Sequence, residues 1–211
     1  FTATRTMRAA QTLYEGVDIA GRGTLGLITY MRTDSLRVSD EAVAGAKDYI
    51  TGAYGERYVC GYKRTYKSRS VTAAQDAHEA IRPSNVSLTP EQVKGDLSGE
   101  QYRLYKLIWS RFLASQMSNA VYDSVTAELQ AGDHSFRASA SSLKFAGYAA
   151  VYEESRDDDK EEKESPLPPL TEGEEVTPTG FAPLQHFTQP PPRFTEASLI
   201  KFLEENGIGR P

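Results

Sequence analysis

Residues 98–121, SGEQYRLYKLIWSRFLASQMSNAV, form the pattern that most restricts how this chain can fold. Ser98 and Gln101 have the spacing of a capping box, in which each side chain accepts a hydrogen bond from the other residue's backbone N–H. Apolar residues then recur at helical spacing, and they are Leu104, Leu107, Ile108, Phe112 and Leu113. A surface helix with one apolar stripe buries that stripe against its neighbours. The pattern therefore predicts a long amphipathic helix that packs against other helices.

Three further helices are predicted before residue 98, and they span residues 2–16, 38–55 and 89–93. Gly16 is a stop signal for the first, Ser39 is the N-cap of the second, and the third has its own capping box. Residues 17–26 predict a glycine-bearing loop. Residues 27–30, LITY, predict a short buried strand or extended segment. The chain up to about residue 119 is therefore predicted to be mainly helical.

The pattern changes at Tyr122, where apolar and polar residues begin to alternate. Val125, Ala127 and Leu129 share one face, and residues 131–133, AGD, are a turn signal. This alternation predicts a β-hairpin or a small antiparallel sheet. Residues 173–192 predict a further strand region that three prolines end.

The predicted fold class is α+β, with three parts in order along the chain. Residues 1–119 form a helical domain and residues 120–192 form a β-rich part with an acidic loop at 153–175. Residues 193–211 open the next unit with an amphipathic helix capped by Thr195. We expect the chain to be an internal part of a longer protein.

Charge is unevenly distributed along the chain, whose formal net charge is −5. Residues 153–175 contain eleven acidic and three basic side chains, a local charge of −8, so the remaining residues carry +3. The overall negative sign therefore does not argue against a nucleic-acid partner. No apolar run approaches the roughly 20 residues of a membrane span. Cys60 is the one cysteine, which excludes an internal disulfide or a multi-cysteine zinc site and favours a cytosolic setting.

Residues 26–35, GLITYMRTDS, place reactive side chains close together. Tyr30 and Arg32 share a face if the segment is extended, and Thr33, Asp34 and Ser35 follow. A phenol with a pKa near ~10 is a poor nucleophile until a neighbour favours its anion. A guanidinium can do this and can also hold a phosphate through two hydrogen bonds. Tyr30 is therefore a candidate nucleophile for phosphoryl transfer, the alternative being a half-buried strand tyrosine.

Residues 75–84, QDAHEAIRPS, contain the second candidate cluster. His78 and Glu79 could begin a zinc-binding H-E-x-x-H helix, but the fifth position is Arg82, so no zinc site is predicted. In one helical turn His78 and Arg82 would share a face and could bind a phosphate together. The alternative is a structural turn in which Glu79 or Asp76 pairs with an arginine.

Residues 57–69, RYVCGYKRTYKSR, contain five basic residues and three tyrosines but no acid. Such interleaving suits nucleic acid, because basic groups reach phosphates and aromatic faces stack on bases. The alternative is an ordinary solvated surface. Arg193 and Arg210 near the end of the chain are weaker candidates for anion contacts.

Together these motifs resemble the type IA DNA topoisomerases, and within them the bacterial topoisomerase I branch. GLITYMRTDS is similar to the active-site motif of the family and DAHEAIRPS to its histidine motif. RFTEASLIKFLEENGIGRP resembles the segment that leads into the single-strand-binding domain. Met31 stands where topoisomerase III relatives usually have proline.

The resemblance implies that Tyr30 attacks a DNA phosphodiester to form a 5′-phosphotyrosine, with Arg32 positioning the phosphate. It implies DNA contacts for His78, Arg82 and Arg210, and for Thr33 and Asp34 within the motif. The intermediate keeps the bond energy, so ATP is not required.

The family resemblance also implies a ring of four domains, of which these residues supply the tyrosine-bearing domain and part of the arch. The magnesium ligands of the family lie in a Toprim domain that these residues do not include, so no metal ligand is assigned here. We expect single-stranded or negatively supercoiled DNA as the partner, a monomeric and inactive isolated chain, and a cytoplasmic, nucleoid-associated protein that relaxes negative supercoils.

Three competing interpretations remain open at this stage. The first is the same region of topoisomerase III or reverse gyrase. The second is a non-catalytic nucleic-acid-binding module in which Tyr30 is a core residue. The third is a partner-binding scaffold organised by the acidic loop.

Overall fold

The computed structural model describes residues 1–33, 35–64, 66, 78–152 and 167–208. The chain divides into two compact units. The first comprises residues 1–119, 147–153 and 194–211, and the second comprises residues 120–146 and 154–193. The three-domain assignment made from the sequence stays a prediction.

The first unit contains the helices, and their bounds follow the capping signals of the sequence. The helices of eight or more residues are α1 (Ala3–Glu15), α2 (Asp40–Tyr54), α4 (Gly99–Gln116) and α5 (Glu196–Glu205), and α3 (Pro90–Val93) is a single turn. Each begins after a hydroxyl side chain that accepts a backbone N–H, and these residues are Thr2, Ser39, Thr89, Ser98 and Thr195. Such caps satisfy N–H groups that the first helical turn leaves without an intrahelical partner. No helix among these described residues is both long and apolar enough to cross a membrane.

The core of the first unit is centred on α4, but the buried face of that helix differs from the predicted stripe. Tyr105, Trp109, Phe112 and Leu113 are buried, whereas Leu107 is 50% exposed. The predicted stripe omitted Tyr105 and Trp109, whose polar atoms need hydrogen-bond partners when they are buried. Both atoms have partners, since Tyr105 donates to Leu88 O at 2.6 Å and Trp109 to Val86 O at 2.8 Å. Burial raises the pKa of the Tyr105 phenol.

The predicted loop at residues 17–26 is a small antiparallel hairpin. Its strands are β1 (Val17–Ile19) and β2 (Gly23–Leu25). Gly21 and Gly23 adopt φ values of 72° and 76°, a region that glycine occupies without steric cost and that lets the chain reverse here. The LITY segment that follows is extended, and its only strand-like pairing in the described residues joins Ile28 to Pro83.

The second unit contains a longer hairpin of strands β3 (Val121–Ala131) and β4 (His134–Phe145). The strands are antiparallel, Ala131 pairs with His134 at the turn, and Gly132 supplies a φ of 58°. This confirms the predicted hairpin. The predicted strand region at 173–192 is wrong, because the described residues 167–193 contain no strand. Proline lacks the N–H that a sheet ladder needs, and prolines recur through this segment at positions 178, 183 and 190–192.

Helix α5 confirms the predicted terminal helix. The helix ends before Gly207, which adopts a φ of 66°. Phe194, just before the cap, packs on Phe202 with ring centroids 5.2 Å apart. The backbone N–H of Ala3 donates to Glu196 Oε1 at 3.3 Å, so the start of α1 meets the start of α5. Most of the predicted acidic loop, residues 153–166, lies outside the described residues.

Candidate active site around Tyr30

The extended segment before Tyr30 is held on both sides by backbone hydrogen bonds. Leu27 N–H donates to Leu13 O in α1 at 2.7 Å, and Ser84 N–H donates to Leu27 O at 2.9 Å. The exposed fractions of Leu27 and Ile28 are 1% and 2%, so their side chains pack in the core and anchor the segment. Burial of each such side chain is worth about 2 kcal/mol. The backbone that carries Tyr30 is therefore firmly placed.

Thr29 attaches this segment to the histidine motif. Its backbone N–H donates to Arg82 O at 2.9 Å, and its hydroxyl donates to Ala80 O at 2.8 Å. The same hydroxyl accepts the backbone N–H of Arg82 at 3.0 Å. Thr29 therefore joins the two motifs, in addition to the hydrogen bond from Ser84 to Leu27. The sequence interpretation missed Thr29, and a hydroxyl residue directly before the candidate nucleophile was the available signal.

Gly26 allows the close approach between this segment and α1. A Cβ atom at position 26 would lie 2.6 Å from the carbonyl oxygen of Tyr14, which is a backbone atom that cannot rotate away. Only a residue without a side chain permits this contact without displacing α1 or the segment.

Gly26→Ala is therefore expected to lower the free energy of unfolding by about 1–3 kcal/mol, the usual cost of forcing extra atoms into a packed site. Urea unfolding followed by the fluorescence of Trp109 measures the change. Gly45→Ala in α2 is the control, because a Cβ there meets no atom within 4 Å. Equal stability of the Gly26→Ala and wild-type chains would contradict the close contact.

Tyr30 lies at the surface between two other aromatic rings. Its side chain is 50% exposed, which excludes the alternative of a core tyrosine. The Tyr14 ring lies 5.2 Å away at an interplanar angle of 62°, and the His78 imidazole lies 6.3 Å away at 29°. These are the edge-to-face and offset-stacked geometries that aromatic pairs prefer. The ring is held in place while half of its surface stays open to a ligand.

The residues after Tyr30 alternate in burial. Met31 is buried, Arg32 is partly buried with its Nε atom shielded from solvent, and Thr33 is exposed. Asp34 lies outside the described residues. Ser35 is buried, and its hydroxyl accepts the backbone N–H of Arg37 at 3.2 Å. The chain turns here toward the cap of α2.

The helical turn predicted for His78 to Arg82 is absent from the described residues 78–84, so a shared helical face does not place these two side chains. His78 instead lies next to Tyr30 as an approximately parallel ring, and its Nδ1 atom is buried. Hydrogen bonds of this segment go to Thr29 and to Arg37 O, which accepts the N–H of Ala80 at 2.7 Å. These long-range partners replace helical ones.

The guanidinium of Arg82 has a carboxylate partner, as in the structural alternative for this motif. Its Nη2 and Nε atoms lie 2.7 and 3.0 Å from Glu79 Oε2, and Nη1 donates to Pro83 O at 3.0 Å. Both ionic side chains are mostly buried. The DNA contact predicted for Arg82 stays a prediction.

The basic, tyrosine-rich stretch is described only up to residue 64 and at Tyr66. Arg64 donates to Met117 O at 2.8 Å and to Asn119 Oδ1 at 2.6 Å. The ammonium group of Lys63 lies 2.5 Å from the carboxylate of Asp40, and this hydrogen-bonded ion pair lowers the pKa of Asp40 below its ordinary value. Tyr62 is 62% exposed. The contacts of Arg64 and Lys63 are therefore structural ones, and nucleic-acid binding by this stretch stays a prediction.

Arg210 lies outside the described residues, so its placement is untested. Within the described ranges, no group of three or more His, Cys, Asp or Glu side chains could hold a metal ion. The site consists of an exposed phenol, two flanking rings and a partly buried arginine two residues along.

Tyr30 thus lies on an anchored segment, two residues before a partly buried arginine. Comparison with known proteins shows the family to which this chain belongs. The family model described as DNA topoisomerase matches residues 1–211. The chain belongs to this family, in its bacterial type IA branch.

Among solved structures, the chain is similar to full-length topoisomerase I from Thermotoga maritima, with 39% sequence identity and a TM-score of 0.78. The match covers 100% of this chain and 32% of that chain, so the present residues span about a third of the relative's length. The resemblance to bacterial topoisomerase I inferred from the motifs is confirmed. So is the α+β class, because the described residues contain both helices and small antiparallel sheets.

Proposed function

We propose that this chain supplies the nucleophile of a type IA topoisomerase and that Tyr30 is that residue. The observation that carries the proposal is a half-exposed phenol on a backbone fixed by buried neighbours and hydrogen bonds. Phosphoryl transfer depends mainly on positioning and on stabilising charge, and a fixed segment supplies the positioning.

In the proposed step, Tyr30 Oη bonds to the phosphorus of a single-strand phosphodiester while the bond from phosphorus to the 3′ oxygen breaks. The phenol loses its proton and the departing 3′ oxygen gains one, which leaves a 5′-phosphotyrosine and a 3′-hydroxyl. One phosphate ester replaces another, so reversal by the 3′-hydroxyl reseals the strand without ATP.

Arg32 is proposed to hold the scissile phosphate and offset its charge. A guanidinium stays protonated at any physiological pH and matches two phosphate oxygens at once. Its partial burial supports this role, because a charge interaction is stronger where solvent is excluded. Thr33, Asp34, His78, Arg82 and Arg210 are proposed to contact DNA around this centre.

In the complete protein, the other strand is proposed to pass through the protein-bridged break before resealing, which relaxes negative supercoils. This proposal includes a toroidal arrangement of domains and a cytoplasmic, nucleoid-associated setting. It also includes a monomeric state and the inactivity of this chain alone. Magnesium does not fit the described residues, which offer no cluster for it. We assign its ligands to parts of the protein outside this chain and derive no step from it.

Label transfer from single-stranded DNA tests the proposal. The full-length protein is mixed with one oligonucleotide labelled at its 3′ end or at its 5′ end, and the reaction is stopped with denaturant. A 5′-phosphotyrosine keeps the 3′-labelled part on the protein and releases the 5′-labelled part with a free 3′-hydroxyl. Peptide mapping is expected to place the adduct on Tyr30. DNA binding without label transfer would favour a non-catalytic binding module.

A further inference from the structure

Tyr14 is the aromatic residue next to the candidate nucleophile that no step above uses. It lies in the last turn of α1, its side chain is 40% exposed, and its ring centroid is 5.2 Å from that of Tyr30. Two adjacent tyrosines therefore present open surface at one place.

The backbone fixes the position of Tyr14 relative to Tyr30. The preceding residue, Leu13, is fully buried, and its carbonyl oxygen accepts the N–H of Leu27 at 2.7 Å. The carbonyl oxygen of Tyr14 itself is packed closely against Gly26. An aromatic side chain on such a support loses little conformational freedom when a ligand covers it.

The chemistry around Tyr14 suits a base better than a phosphate. An aromatic ring offers a phosphate group no positive charge to pair with, whereas the face of a nucleobase can stack on a tyrosine. The phosphodiester that reacts with Tyr30 Oη brings its flanking nucleotides to this neighbourhood.

We propose that Tyr14 is a base-stacking residue that receives the unpaired nucleobase next to the phosphodiester attacked by Tyr30. This inference rests on the proposed function, since it uses the same DNA strand. The stacked base sets the position of that strand, so Tyr14 contributes to binding and to the choice of cleavage site while Tyr30 performs the reaction.

A double-mutant cycle between protein and DNA tests the stacking. Full-length Tyr30→Phe protein, which lacks the reacting hydroxyl, is titrated with a single-stranded oligonucleotide and with copies that carry one abasic site at successive positions. One abasic position is expected to weaken binding about tenfold, within the range known for base–aromatic stacking. In the Tyr14→Leu, Tyr30→Phe protein, the same abasic site is expected to change Kd less than about twofold, because the ring is already gone.

Two matched variants complete the test. Tyr14→Phe keeps the ring and is expected to keep the abasic effect, and Tyr148→Leu removes a tyrosine of equal 40% exposure elsewhere in the first unit and is expected to keep it too. An abasic effect of the same size with and without the Tyr14 ring, or none at any position, would overturn the stacking proposal. Failure of the nucleophile proposal looks different, because Tyr30→Phe protein would then still accept the 3′ label.

Discussion

Replacing Tyr30 by phenylalanine is expected to abolish transfer of a 3′-labelled DNA strand to the full-length protein. The substitution removes one oxygen atom and leaves the ring, so the contacts with Tyr14 and His78 at 5.2 and 6.3 Å can persist. Covalent catalysis has no route without its nucleophile, and the rate of adduct formation should fall by about 10⁴-fold or more. Relaxation of negatively supercoiled plasmid should be lost with it.

DNA binding separates this result from misfolding. Because Tyr30 is half exposed and keeps its ring, the Tyr30→Phe protein should fold normally and bind a single-stranded oligonucleotide within about twofold of wild type. Tyr122→Phe removes the same atom from a tyrosine that is 53% exposed in the second unit, and it should form the adduct normally. An undiminished adduct in Tyr30→Phe would exclude Tyr30 as the nucleophile.

Gly147→Ala is expected to destabilise the first unit by about 2–5 kcal/mol. Gly147 has a φ of 49°, where an L-residue with a side chain pays about 1–2 kcal/mol. Its new Cβ would also lie 2.4 Å from Asn119 O and 2.6 Å from Ser118 O, and overpacking of this kind costs about 1–3 kcal/mol more. These are backbone atoms next to the bond from Tyr148 N–H to Ser118 O at 2.9 Å, so the chain itself has to shift.

Trp109 fluorescence reports this loss, because that indole is 6% exposed in the native first unit and the chain contains no other tryptophan. The midpoint of urea unfolding should fall, with little change in its slope. Gly52→Ala within α2 is the matched control, since a Cβ there meets no atom within 4 Å. It should raise stability by about 0.5–1 kcal/mol. An unchanged midpoint for Gly147→Ala would contradict the close packing at Asn119.

Helix starts were predictable because capping is local. The hydroxyls of Ser39, Ser98 and Thr195 accept N–H groups three residues ahead, and the sequence alone places those partners together. The hairpin turn at Gly132 is local in the same sense. The motif around Tyr30 could also be recognised from the sequence, because the family resemblance depends on the order of neighbouring residues.

Burial was predicted less well where polar atoms are involved. Trp109 and Tyr105 can be buried in the core because backbone carbonyl groups about twenty residues away accept hydrogen bonds from their polar atoms. The periodicity along one helix does not reveal such acceptors. The prediction of a helical turn at His78 was wrong for a related reason. There, the backbone of residues 80–84 pairs with Thr29, Leu27 and Arg37 instead of with itself.

By itself, the sequence determined the helix caps, the β3–β4 hairpin and membership of the topoisomerase family, because each can be recognised from short runs of neighbouring residues. Only the tertiary structure decided that Thr29 joins the tyrosine motif to a segment 51 residues away, and that Tyr14 lies beside Tyr30, whose surface is half exposed. Such meetings depend on how separate segments pack around one core, and that information is spread over the whole chain.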